Sequence, residues 1–499
     1  MIDTDRNGTV SISSGVAGLD DVLRGGFRIN RMYLLEGVPG SGKTTLALQF
    51  LLDGVRRGES VLYVALSETE QEMRAVADTH GWSLDGITFR ELVPSEESLQ
   101  QDDQYTMFHP SEVELGETVR SILADVERTR PTRMVFDSLS EMRLLAGNPL
   151  RYRRQVLALK QFFNGRNCTV LLLDDMTSAQ HDLQVQSIAH GVIRLEQRYP
   201  DFGSERRRLI VHKYRGVRYR GGYHDFIIAR GGLEVFPRLI AGEHHDLASM
   251  DKLSSGIDDM DALLGGGIER GTSSLIVGAA GTGKSTIGAQ FVAAAAARGE
   301  SAAMFIFDES IQTLLSRASG LGIDLRTPIS AGRVTVQQVD PAELSPGELV
   351  HAIRRSVELD RASIVVIDSL NGYLNAMPGE RHLTIQLHEL LIYLGQKGVA
   401  TILIGAHQGL IGGQMVTPVD ASYLADAVIL TRYYEVHGEV RQAISIVKKR
   451  GGAHERTIRD FRIEAGGIRI GQPLRHFRGV LTGTPVVDGE AAWPAKPGP

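Results

Sequence analysis

The chain has 499 residues, of which 42% are hydrophobic and 23% charged: a globular composition on a chain too long for one ordinary core, which predicts two or more domains. Its net charge of −6 argues against a protein that coats nucleic acid. Cys168 is the single cysteine, which excludes an intrachain disulfide and a cysteine-rich zinc site; with no apolar run of bilayer length and no signal-like N-terminus, the expected compartment is the cytoplasm.

In chain order, residues 13–20 (Ser-Ser-Gly-Val-Ala-Gly-Leu-Asp) and an apolar run at 33–35 lead to Gly37-Val38-Pro39-Gly40-Ser41-Gly42-Lys43-Thr44. That octapeptide has the spacing G-x-x-x-x-G-K-[ST] of a phosphate-binding loop. Its glycines let backbone N–H groups point inward around phosphates, the lysine places a charge near the terminal phosphates, and the Thr44 hydroxyl can ligate Mg²⁺. Apolar runs at 61–65, 134–136 and 170–173 follow at spacings that suit helical crossovers, so they read as strands buried on both faces of a mainly parallel sheet.

Carboxylates close two of these runs. Glu68, after Ser67, is placed to orient or deprotonate an attacking water, and Asp137 to hold the Mg²⁺ shell opposite Thr44; a helix cap or solvated strand end is the alternative for both. Residues 206–220 then hold seven Lys or Arg and no acid. In strand geometry Lys213 and Arg215 point the same way and reach one anion together. A nucleic-acid groove is the competing reading, weakened by the acidic chain and by having only Tyr214 and Tyr219 as interleaved aromatics.

The pattern recurs 241 residues later. Residues 254–261 match 13–20, Gly278-Ala279-Ala280-Gly281-Thr282-Gly283-Lys284-Ser285 is a second phosphate loop, and Arg57-Gly58-Glu59-Ser60 returns as Arg298-Gly299-Glu300-Ser301. Apolar runs at 275–277, 303–307, 364–367 and 401–404 are accompanied by Asp308-Glu309, Asp368, and Lys448 with Arg450. A period of this size is a duplicated domain. The expected organisation is α/β throughout: one domain over 1–245, a second over 246–485, and a disordered tail over 486–499.

With both phosphate loops, both entry segments, the glutamate after the second strand and both Lys-x-Arg-Gly ladders in place, the chain resembles the KaiC family of circadian clock ATPases and autokinases over nearly its full length. The resemblance implies two tandem RecA-like P-loop NTPase domains in a homohexamer of stacked rings, with ATP and Mg²⁺ between neighbouring subunits. By motif, ATP-binding positions are Gly37, Gly40, Ser41, Gly42, Lys43, Thr44 and Thr45, then Gly278, Gly281, Thr282, Gly283, Lys284, Ser285 and Thr286. The metal would sit on Thr44 with Asp137 and on Ser285 with Asp368. Glu68, Asp308 and Glu309 would be catalytic, and Lys213, Arg215, Lys448 and Arg450 would come from the adjacent subunit.

Two departures from the family stand out. Its usual glutamate pair is Ser67-Glu68 here and Asp308-Glu309 in the second half. Its Ser-Thr phosphorylation pair corresponds to Ser422, with Tyr423 in the second place and a further hydroxyl at Thr417. The family also implies a KaiB-like partner; no membrane or nucleic-acid partner is expected. Two other functions compete with an ATPase and autokinase: a DNA-stimulated motor of the RecA or RadA kind, and a nucleotide-gated scaffold for signalling partners.

Overall fold

The computed structural model describes residues 3–4, 10–92, 110–176, 183–244, 251–375, 382–406, 423–436, 438–480 and 486–487. The chain divides into two compact units, Met1–Arg238 and Leu239–Pro499. The division falls earlier than residue 245 because Leu239 and Ala241 are buried in the second unit's core, where the Ala241 N–H donates to Glu389 at 3.0 Å. Polarity drew the expected boundary into the linker and overlooked this short apolar anchor.

The first unit carries a nine-stranded sheet in the order β9-β8-β7-β6-β1-β5-β4-β2-β3. Here β1 is Met32–Gly37, β2 Val61–Ala65, β3 Ile87–Glu91, β4 Arg133–Asp137, β5 Thr169–Asp174, β6 Gly191–Arg198, β7 Arg206–Tyr214, β8 Tyr223–Ala229 and β9 Gly232–Phe236. From β6 to β3 neighbouring strands are parallel, whereas β6 to β9 form an antiparallel extension. The second unit repeats the order strand for strand as β18-β17-β16-β15-β10-β14-β13-β11-β12. Its strands are β10 (Ser273–Gly278), β11 (Ser301–Ile306), β12 (Val334–Gln338), β13 (Ala362–Asp368), β14 (Ala400–Ala406), β15 (Ala427–Val436), β16 (Glu439–Lys449), β17 (Arg459–Glu464) and β18 (Gly467–Pro473).

The continuous apolar runs have the predicted cause. Along β5, Leu171 and Leu173 enter one core while Val170 and Leu172 enter the other; along β13, Ile364 and Val366 face one way and Val365 and Ile367 the other. Successive strand side chains alternate, so a strand covered on both faces must be apolar at every position. Five helices bear on the sites: α1 (Lys43–Arg56), α2 (Glu70–His80), α3 (Leu183–Ile188), α4 (Lys284–Ala297) and α5 (Ile311–Gly320).

Val486–Val487 pairs antiparallel with Phe477–Arg478, so pairing reaches into the stretch expected to be disordered, as suits two β-branched residues. Among the described residues no helix is long and apolar enough to cross a membrane.

Candidate active sites

Each phosphate loop joins the C-terminal end of a central strand to a long helix, β1 to α1 and β10 to α4. Gly42 and Gly283 precede the helices at φ 99° and 91°, a left-handed conformation that a side chain disfavours. The unpaired N–H groups of the first helical turn therefore open toward the loop, the arrangement that receives phosphates. Ser41 and Thr282 are fully buried beneath their loops; Thr282 Oγ1 donates to the Ala279 carbonyl at 2.8 Å and lies 2.7 Å from Thr431 Oγ1. The backbone N–H groups of these two residues also turn inward, Ser41 donating to the Val38 carbonyl at 3.1 Å and Thr282 to the Ala279 carbonyl at 3.4 Å, which tightens each loop.

In the first unit Lys43 is buried, and its Nζ donates to the carbonyls of Gly37 at 2.8 Å and Val38 at 3.0 Å. Thr44 Oγ1 donates to Asp137 Oδ2 at 3.4 Å, and Tyr63 Oη donates to the same oxygen at 2.5 Å. Burial raises the Asp137 carboxyl above the ordinary carboxylate range and Asp175 adds to it, against the hydrogen bond from Tyr63 and the charge of Lys43. Glu68, an exposed residue, stands just before Thr69, whose capping box with Glu72 starts α2. Partial loss of hydration in the cleft, then repulsion by Asp137, raise the Glu68 carboxyl as well.

The second unit builds the same frame with different charges. Lys284 Nζ donates to the Ala279 carbonyl at 2.7 Å, and burial lowers this ammonium against the pull of Asp368. Asp368 is pushed up to about 6 by burial, with Glu309 and Asp308 reinforcing and Ser285 and Arg317 opposing. Its Oδ2 is buried without a hydrogen-bond partner among the described residues. Glu309 precedes the α5 cap, Ser310, and pairs with Arg317 of that helix at 2.5 Å; Arg317 also donates to Thr286 Oγ1 at 3.0 Å. Asp308 accepts from Ser369 Oγ at 2.5 Å.

The basic ladders lie elsewhere. Gly37 pairs with Leu195, which pairs with Leu209, whereas Lys213 pairs with Val192. Lys213 is thus four residues, about 13 Å, down β7 from the level of the phosphate loop. Its Nζ donates to the carbonyls of Gln186 at 2.6 Å and Ser187 at 3.1 Å, and Arg215 donates to Ser187 at 2.9 Å. Lys448 likewise pairs with Val428, level with Leu275 rather than Gly278. It donates to Ala425 at 2.8 Å, and Arg450 to Asp426 at 3.2 Å. Neither ladder reaches the phosphate loop of its own unit. Ser422 and Thr417 lie outside the described residues; Tyr423 is exposed, and its carbonyl accepts from Arg450 at 2.7 Å.

The sequence reading missed Asp175, whose Oδ1 pairs with Lys43 Nζ at 2.8 Å. The signal was present, since 170–173 ends in two aspartates as 134–136 ends in Asp137. Arg317 and Tyr63 had no comparable signal, because helix packing and strand pairing alone bring them to the carboxylates.

Two passes of one family model, described as ATPase: KaiC, match residues 12–240 and 253–475, nearly the same extents as the two units. The chain belongs to the KaiC ATPase family. It is similar to the circadian clock protein KaiC3 of Synechocystis sp., at 28% identity over 97% of this chain and 96% of that protein. It is also similar to the circadian clock oscillator protein KaiC of Parathermosynechococcus lividus, at 26% over 95% and 87%, and to that of Synechococcus elongatus, at 25% over 94% and 91%. Against this KaiC background the family model accounts for both halves of the chain, while Ser67, Asp175 and Arg317 mark how its two sites differ from each other.

Proposed function

We propose that this KaiC-family chain is a Mg²⁺-dependent ATPase that works as a homohexamer, with ATP between neighbouring subunits at both tiers, and that its second half transfers the γ-phosphoryl group to its own Ser422. The observation that carries the assembly is the register of the ladders: Lys213 with Arg215, and Lys448 with Arg450, sit at the end of the sheet away from their own phosphate loop, so they can serve a nucleotide only from a neighbour. Native mass spectrometry with and without ATP tests it; a chain that stays monomeric with ATP bound removes it.

Thr44 with Asp137 and Ser285 with Asp368 are the residues that would hold Mg²⁺, and they suit it: hard oxygen donors, paired across strand and helix, with one buried carboxylate oxygen left without a partner. When bound, the ion neutralises charge on the β- and γ-phosphate oxygens. The first-turn N–H groups and the loop lysine hold the phosphates in line for attack. Glu68 in the first half accepts the proton of the attacking water as its oxygen bonds to the γ-phosphorus and the bond to ADP breaks. In the second half Asp308 or Glu309 takes the proton from water or from the Ser422 hydroxyl. Phosphate found on Ser422 by mass spectrometry after incubation with Mg²⁺ and ATP supports the transfer, and phosphate nowhere on the chain removes it. A KaiB-like partner is proposed from the clock names of the relatives.

A further inference from the structure

In each unit two hairpin strands run on past the phosphate loop and close over its outer side. Gly37 is level with Leu195 on β6, and Leu195 with Leu209 on β7; both leucines enter the core that holds Leu46 and Phe50 of α1. Side chains two residues further along face the same way, so the paired residues Gln197 and Arg207 arrive over the loop. Arg207 Nη1 donates to the Gly40 carbonyl at 2.7 Å, and its Nη2 donates to Glu205 at 3.0 Å. Gln197 Oε1, buried and without a hydrogen-bond partner among the described residues, lies 3.8 Å from where a Cβ on Gly40 would stand.

The second unit makes the same contact with other residues. Tyr433 of β15 pairs with Gln442 of β16, and Gln442 Nε2 donates to the Gly281 carbonyl at 3.2 Å. A Cβ on Gly281 would stand 2.6 Å from Tyr433 Oη. Gly40 and Gly281 hold the same place in the two octapeptides and share a φ of 79°.

The plainer explanation is a polar strand end that settles on the nearest carbonyl. Two unlike side chains argue against it: arginine is long and charged, glutamine shorter and neutral, yet each takes the carbonyl of the matching glycine. Two residues before Gln442 stands Val440, where Arg207 has Glu205, so the contact does not depend on a carboxylate to orient it. The peptide unit after each glycine is held at both ends, since its N–H, that of Ser41 or Thr282, donates back to Val38 or Ala279. A loop fixed in this way is ordered before its ligand arrives, so binding does not bear that entropy cost.

We infer that Arg207 and Gln442 are positioning residues that hold the two phosphate loops in their ligand-binding shape, and that each loop's affinity for the polyphosphate of a nucleotide depends on this outer clamp. The inference rests on the reading of the loops as nucleotide sites.

In the full chain, Lys284→Ala confines Mg²⁺-ATP binding to the first loop, where calorimetric titration reads it. Adding Arg207→Ala should weaken binding about fivefold or more, while Arg207→Gln should stay within about twofold of the parent, because glutamine makes this bond in the second half. Amide hydrogen exchange over residues 37–44 of the nucleotide-free chain should quicken in the alanine variant alone. Parental affinity in Arg207→Ala overturns the clamp, as does an equal loss in both variants, which assigns the effect to charge. Exchange that quickens equally throughout the first unit overturns it too, since that is a general loss of stability. If Arg207→Ala fails to fold, Gln442→Ala in the Lys43→Ala chain puts the same question to the second loop. Adding Lys43→Ala to the Lys284→Ala chain separates the two readings: unchanged ATP binding ends the nucleotide sites themselves, whereas lost binding beside an indifferent Arg207→Ala ends only the clamp.

Discussion

At the first phosphate loop the lysine is neutralised and the glutamate is not; at the second the reverse holds. Lys43 pairs with Asp175, whereas the register that puts Asp174 beside Glu36 puts Gly405 beside Val277, so Ala406 stands where Asp175 would be. Glu309 pairs with Arg317, whereas the 241-residue offset puts Val76 at that place and leaves Glu68 without a salt bridge among the described residues. One backbone thus carries two resting charge arrangements. On the proposed reading, ATP entering the first half would displace a carboxylate from the lysine, while in the second half it would meet an ammonium held by a carbonyl and a proposed base already paired with a guanidinium.

The largest effect should come from removing each proposed base. Glu68→Gln should lower ATP turnover of the first half by about 10²- to 10⁴-fold, read in chains whose second loop is disabled by Lys284→Ala, and Glu309→Gln should do so only in the second. Unchanged turnover after Glu68→Gln would end its role as base.

Stability sharpens the comparison next. Arg133 is wholly buried and pairs with Asp53 at 3.0 Å and Glu59 at 2.7 Å, so Arg133→Ala takes the ion pair from Glu59, leaves Asp53 to Arg57 at 2.7 Å, and should cost about 3–5 kcal/mol. In the second half the residue equivalent to Glu59, Glu300, accepts from Ser363 at 2.6 Å and keeps Arg270 and Arg298, so Ser363→Ala should cost only about 1 kcal/mol. Calorimetric unfolding should show the first substitution shifting one transition far more than the second shifts the other.

The pH response follows from Asp368, raised to about 6 by burial. The folded, nucleotide-free second half favours its protonated form, so this contribution to stability is complete below the unfolded carboxyl's value near 4 and is lost as pH rises through about 6, up to roughly 3 kcal/mol. On the proposed role of Asp368 as a Mg²⁺ ligand the same proton would have to leave first, so Mg²⁺-ATP affinity of this half should fall as pH drops through about 6. Asp368→Asn should flatten the melting profile over that window; an unchanged profile assigns the titration elsewhere.

The smallest expected effect is the most specific. Asp175→Ala frees Lys43 and should tighten ATP binding at the first half about tenfold, near 1.4 kcal/mol, while Ala406→Asp should weaken it at the second by a similar factor. Fluorescent-nucleotide titration of singly disabled chains reads both, and equal affinities before and after would show that the Lys43–Asp175 pair has no hold on nucleotide.

Much of this was legible beforehand. The runs at 170–173 and 364–367 gave buried strands because a strand covered on both faces has no polar position to spare, and each glycine-lysine turn announced its loop because few residue types fit that backbone. The antiparallel extension β7–β9 was not laid out, since its strands alternate buried and exposed positions and carry several arginines. The anchor at Leu239 was missed for a related reason: one or two apolar residues in a polar stretch give no period to read.

Local sequence thus determined what is set by short-range chemistry: two duplicated α/β units, their phosphate loops, and the strand-end carboxylates Asp137 and Asp368. Tertiary structure alone decided which charges meet. Asp175 reaches Lys43, Arg317 reaches Glu309, and Lys213 sits far from its own loop because strand order and register bring together residues distant in the chain. Charge pairing depends on distances of a few ångströms that no linear spacing encodes.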